Sequence, residues 1–169
     1  MTIKEILLED FDLEMANTRR TLERVPEDDP GYKPHEKSFA MGKLAMHVAT
    51  LPLFAKYIMT MPAMDLANNS LPHPDMTFHS RELLLTTFEQ SVNEAKVALA
   101  AVTEAALAER WKFCFGEHLI SNDTRSKTYR NMFFNHLIHH RAQLGVYLRL
   151  NNIPVPGLYG PSADEPFTP

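Results

Sequence analysis

Apolar residues recur at helical intervals in four stretches of the chain. Over residues 2–25, Ile3, Leu7, Phe11, Met15, Leu22 and Val25 follow at steps of three, four and seven with charges between them, which winds one apolar stripe along one helix. Pro26 and the following EDDPGYKP end that helix. A second helix is predicted over residues 39–60, with Ser38 as its cap and Ala40, Leu44, His47, Leu51, Phe54 and Ile58 along one line. Within it Pro52 lacks an N–H, so a bend is expected there, with the Val48 carbonyl left without its usual partner. Leu85, Phe88, Val92, Ala95, Leu99 and Val102 alternate steps of three and four and predict a third helix over 80–102. A fourth is predicted over 124–150 and is closed by NNIPVP.

Each helix spans about 22–27 residues, or about 33–40 Å. Rods of matched length with one apolar stripe each form a four-helix bundle, so the expected fold class is all-α, a single domain over residues 1–169. The connections at 61–79 and 103–123 are too long for tight turns, and one of them can run the length of the bundle to join parallel helices. The second contains RWKFCFGEHLIS, whose partial alternation reads as a short extended piece. The tail, 151–169, is rich in proline and glycine and reads as an irregular strap.

Composition narrows the setting more than the fold. With 169 residues the chain is long enough to bury a sizeable core. The lone Cys114 rules out an internal disulfide, in keeping with a reducing compartment. The opening MTIKEILLEDFDLEM is acidic and amphipathic, unlike a signal peptide. No apolar run reaches the roughly 18 residues of a membrane span. A formal net charge of -4 with a pI near 6.0 gives no basic footprint for nucleic acid. The expected setting is cytoplasmic, with neither nucleic acid nor membrane as partner.

The candidate chemistry lies in NHLIHHRAQLGVYLRL, where His136, His139 and His140 fall within five positions. With eight histidines, an H-x-x-x-H pair arises by chance in roughly one such chain in three, so spacing alone is weak. At 100° per residue, setting His136 to zero puts His140 at about 40°, Tyr147 at about 20°, Gln143 at about -20°, Met132 at about -40° and Phe133 at about 60°. His136 and His140 are thus read at the centre of the buried face and His139 on its flank, while Arg141 falls well off that face. Two stacked imidazoles cannot both be satisfied by apolar neighbours.

His47, with Leu44 and Leu51 one turn to either side, brings a third imidazole from the second helix. A single histidine in an apolar stripe is more often a hydrogen-bonded core residue than a ligand; three from two helices favour a divalent metal. Leu137 stands where a zincin has its glutamate, and no E-x-x-H pair supports a di-iron carboxylate site. What remains is three histidine ligands with open positions, the pattern of a catalytic ion. His35, His73, His79 and His118 are read as surface residues.

GKLAMHVATLP around His47, NHLIHHRAQLGVYLRL around His136 and His140, and the closing VPGLYGPSADE together resemble the DinB family of metalloproteins, grouped with YfiT-like enzymes. FDLEMANTRRTLERVP and YKPHEKSFAMGKLA extend the resemblance over nearly the whole chain. It implies an up-down-down-up bundle, with helices two and three parallel and residues 61–79 as the crossover. It also implies one nickel or zinc ion per chain held by His47, His136 and His140, commonly in a homodimer. Related bundles include bacillithiol S-transferases and a mycothiol-dependent isomerase, whose substrates do not carry over.

The leading expectation is a metal-dependent enzyme of S-transferase or hydrolase type, in which the ion activates a thiol or water for attack on a small-molecule electrophile. Gln143, Tyr147 and Thr18 are candidates for orienting the ligands or contacting substrate, or else polar residues bonded within the core. The alternative is a non-catalytic, metal-stabilised dimeric binding module, with Phe134, Ile138 and Leu148 as a second apolar surface on the fourth helix. A third reading is a metal-free bundle whose histidines hydrogen-bond internally.

Overall fold

The computed structural model describes residues 1–67 and 74–167. Part of the 61–79 connection, His73 and the last two residues of the tail therefore lie outside the described residues. Helix α1 (Ile3–Leu22) opens on a capping box: the Thr2 hydroxyl accepts from the Glu5 N–H at 3.2 Å while the Glu5 carboxylate accepts from the Thr2 N–H at 2.7 Å. Its buried face carries Leu7, Phe11, Met15 and Leu22 from the expected stripe, with Ile3 largely exposed at its start. Two helices in near-continuation, α2 (Met41–Thr50) and α3 (Pro52–Thr60), take the place of the predicted second helix. Pro52 begins α3 at a first-turn position, where a missing N–H costs least.

Ser38 does not cap α2, whose flanking residue is Ala40. Instead the Met41 and Gly42 N–H groups donate to the carbonyls of Tyr32 and Pro30 at 2.9 and 2.8 Å, so the preceding loop satisfies the helix end. A β-carbon on Gly42 would stand 3.0 Å from that of Pro30 in this loop and 2.7 Å from that of Phe78, beyond α3 in the chain, contacts that only glycine avoids. Helix α4 (Arg81–Ala101) begins where expected, with the Ser80 hydroxyl accepting from the Leu83 N–H, and it packs against α1, α2 and α3.

The all-α expectation is corrected by a three-stranded mixed sheet. Strand β1 (Ala63–Asp65) pairs in parallel with β2 (Arg110–Phe115), which pairs antiparallel with β3 (His118–Thr124). A short helix, α5 (Glu104–Ala108), precedes the hairpin, so both long connections carry regular structure and the chain is not a plain four-helix bundle with an up-down-down-up course. The reason is burial on one side of β2. Trp111 and Phe113 face the core, Phe54 packs edge-on against both, and the Trp111 indole N–H donates to the Met61 carbonyl at 2.9 Å. The hairpin is what RWKFCFGEHLIS expressed as partial alternation. Gly116, at φ +56°, makes its turn.

The predicted fourth helix is three pieces: α6 (Arg125–Thr128), a π-helical turn (Tyr129–Phe134) and α7 (Asn135–Leu150). Tyr129, Phe133 and Phe134 pack against one another in the core, with Phe11 against Phe133. Helix α7 contacts α1 and α2.

The tail is the expected strap, bound to α1 and α7. Arg20 donates to the Gly157 carbonyl at 2.6 Å, Arg24 to Glu165 at 2.9 Å, and Arg149 together with the Val155 N–H to Asp164. The Arg149 guanidinium, then the Val155 N–H, hold the Asp164 carboxyl below the usual aspartate range. A depressed carboxyl contributes stability above its unfolded pKa and loses it as pH falls through the folded one. Strap binding is therefore expected to weaken only below the ordinary aspartate range, seen as loss of protection of the Val155 amide in hydrogen exchange. In Asp164→Asn that acid step should vanish.

Candidate metal centre

Helix α2 carries His47, and α7 carries His136 and His140 one turn apart. Contact between the two helices brings the three rings together, with centroids 4.6 to 5.2 Å apart. The His136 Nε2 lies 2.8 Å from that of His140 and 3.4 Å from that of His47, and one nitrogen from each ring falls within 4.8 Å of the others. The outer nitrogens are turned to acceptors: His136 Nδ1 faces the Met132 carbonyl at 3.3 Å and His140 Nδ1 the Gln143 side-chain oxygen at 2.7 Å. A carbonyl only accepts, so His136 carries its proton on Nδ1 and presents a bare lone pair at Nε2.

Burial, more than any neighbour, pushes all three imidazoles below their ordinary pKa. For His47, burial followed by the proximity of His140 and His136 brings it to about 4. At neutral pH these are uncharged imidazoles, and the His136 Nε2 lone pair lies where it can bind either an N–H of a neighbouring ring or a cation. With metal–nitrogen bonds of about 2.0–2.1 Å, ligand nitrogens stand about 2.9 Å apart at right-angled positions and about 3.4 Å apart at tetrahedral ones. The two separations from His136, 2.8 and 3.4 Å, are compatible with a divalent ion.

The remaining candidates separate. Gln143 lies on the exposed side of α7 and fixes the His140 ring. Gln143→Leu is expected to weaken metal binding about 10- to 100-fold, as loss of an outer-shell partner does, without lowering the melting temperature of the metal-free protein. Tyr147 is buried, donates to the Phe39 carbonyl at 3.1 Å and meets Tyr32 edge-on, so it ties the loop before α2 to α7. Thr18 lies elsewhere: its hydroxyl donates to the Glu14 carbonyl at 2.7 Å and accepts from Arg141 at 3.1 Å. His139 is exposed, as are His35, His79 and His118.

The core-facing line of α7 differs from the predicted one. Leu137, Leu144 and Leu148 are fully buried, about 100° around the helix from His136. Arg141 falls on that line, 2% exposed, while His136 and His140 are half-buried at its side. Phe134 and Leu148, offered as a second apolar surface, belong to the chain's own core, with Ile138 packed on it.

Sequence reasoning missed two features here. The Met132 carbonyl reaches His136 through the π-helical turn, for which the sequence has no signal. Arg141 forms a buried ion pair with Glu14 at 2.5 Å, closed by Thr18 and by Tyr159 of the strap, whose hydroxyl donates to Glu14 at 2.7 Å. Burial and that bond keep the Tyr159 hydroxyl protonated to higher pH than usual. The steps of four, three and four from Leu137 through Arg141 and Leu144 to Leu148 were the available signal.

A cavity of about 420 Å³ opens beside the cluster, with His47 and His136 in its wall. Among the described residues no helix is long and apolar enough to cross a membrane. A comparison with curated proteins gives no match. Solved structures similar in fold include two DinB-like proteins. A DinB-like protein of Bacillus subtilis superposes with a TM-score of 0.67 at 22% identity, over 89% of this chain and 96% of that one. A DinB-like protein of Bacillus cereus gives 0.64 at 18% identity, over 90% and 95%. The model of the DinB family matches residues 2–167, and the chain belongs to the DinB family.

Proposed function

We propose that the chain is a metal-dependent enzyme of the S-transferase or hydrolase type, with one nickel or zinc ion per chain held by His47, His136 and His140. The observation that carries this reading is the convergence of three Nε2 atoms, one of which the Met132 carbonyl commits to the lone-pair form. An ion there would supply Lewis acidity that brings the pKa of a thiol or water toward neutrality. The chain's own part is to keep the imidazoles neutral by burial, to fix the His136 tautomer through Met132, to orient His140 through Gln143, and to hold the electrophile in the adjoining cavity. In the thiol case a carbon–sulfur bond forms, the leaving group departs with its electron pair, and the thiol proton passes to solvent.

A specific observation favours a second reading, a metal-stabilised binding module without catalysis. Among the described residues lining the cavity there is no carboxylate or lysine to serve as general base. Homodimerisation and a cytoplasmic setting belong to the proposal in either form. The test uses tag-free protein supplied with nickel and zinc. Elemental analysis should give about one ion per chain, and none would end both readings. Turnover of an electrophile panel by the loaded protein with a small thiol, lost in His47→Ala, supports the enzyme; loading without turnover favours the module. Sedimentation reads the dimer.

A further inference from the structure

The described lining of the cavity is mostly apolar, with His47, His136, Thr50 and Tyr57 as its polar members. His47, Thr50, Leu51, Phe54 and Tyr57 line it along α2, α3 and the junction between them, a rise of ten residue steps, or about 15 Å. Met64 of β1 and Phe113 of β2 form a facing wall, which the sheet alone brings there. Met132 and His136 complete the end nearest the imidazoles. The Thr50 hydroxyl already has partners within the protein, the Met46 and His47 carbonyls at 3.0 and 3.2 Å and the Met76 sulfur of the lining at 3.6 Å. No lysine, arginine, aspartate or glutamate appears among the described lining residues. A phosphate, or a second carboxylate on the ligand, would enter such a wall with nothing to replace its water. Three methionines line the cavity, and their unbranched thioethers adapt to apolar chains of varied shape.

We infer that this cavity selects an uncharged, elongated apolar small molecule, a straight alkyl or aryl-alkyl chain, with its reacting head group at His47 and His136 and its tail toward Tyr57. The placing of the head group rests on the metal reading. The binding of the tail does not. At about 420 Å³ the space is within the ordinary range for small-molecule sites.

The test is calorimetric titration with straight-chain alkyl hydroxamic acids of increasing length, against both zinc-loaded and metal-free protein. Affinity should rise about fourfold per methylene, the gain for burying one, and level off once the chain reaches Tyr57. A carboxylate at the far end of the tail should weaken binding at least tenfold. The slope should persist without zinc, at lower overall affinity. Leu66→Trp, which enlarges a side chain of the cavity lining, should bring the plateau at shorter chains. No dependence on chain length in either form would overturn the inference, as would equal binding of the carboxylate-tipped chains. A slope unchanged in height by zinc would leave the tail site standing and end the metal reading, so the two failures are distinct.

Discussion

His136→Ala is expected to abolish metal retention, with affinity falling by more than the roughly 100-fold that loss of an outer-shell partner costs. His136 is the hinge of the cluster, because its Nε2 is the one close to both others, at 2.8 and 3.4 Å. Without it, His47 and His140 remain as two ligands on different helices, and the geometric constraint imposed by the His136 to Met132 bond is gone. Competition with a chromophoric chelator reads the affinity, and melting without metal separates ligand loss from unfolding. His139→Ala is the matched control: its ring lies 4.9 Å from that of His140 yet takes no part in the nitrogen cluster. Equal chelator competition by wild type and His136→Ala would sink the assignment.

Arg141→Ala should destabilise the fold by about 3–5 kcal/mol, the cost of leaving one member of a buried ion pair alone. The side chains of Arg141 and Glu14 are 2% and 6% exposed, so the carboxylate left behind has no water to turn to. Tyr159 and Thr18 also lose a partner, and the strap keeps only the Tyr159 bond to Glu14 as its inward anchor. The double variant Glu14→Leu with Arg141→Met should regain most of the loss, since apolar pairs of similar volume replace buried ion pairs at little or no cost. Urea unfolding followed by tryptophan fluorescence suits both, because Trp111 is fully buried. A loss under about 1 kcal/mol in Arg141→Ala would show the pair to be solvated.

Local periodicity made α1 and α4 legible, since Phe11, Met15, Phe88 and Leu99 each bury at the step their stripe requires. The three histidines were legible as a set because imidazoles on two apolar faces have few other uses. Strand β1 was not legible. It has three residues, too few to show a period, and its partner Lys112 is 49 positions from Ala63. Arg141 was hidden by a choice of origin, because angles counted from His136 made the leucine line look peripheral. Charge then argued for the outside, where only the carboxylate of Glu14, on another helix, could have argued for the inside.

The π-helical turn at Tyr129–Phe134 makes chain length itself a constraint. Such a turn holds about one residue more than α-helical winding would. Deleting a single residue there would allow regular winding from Arg125 to Leu150, but would turn everything before it by about 100° relative to the histidines. Arg125 is anchored to the Ile58 and Met61 carbonyls and α7 to Glu14, so neither end is free to follow. Among natural relatives, substitutions in this stretch should therefore be common and insertions or deletions rare, a bias that no count of conserved side chains would reveal.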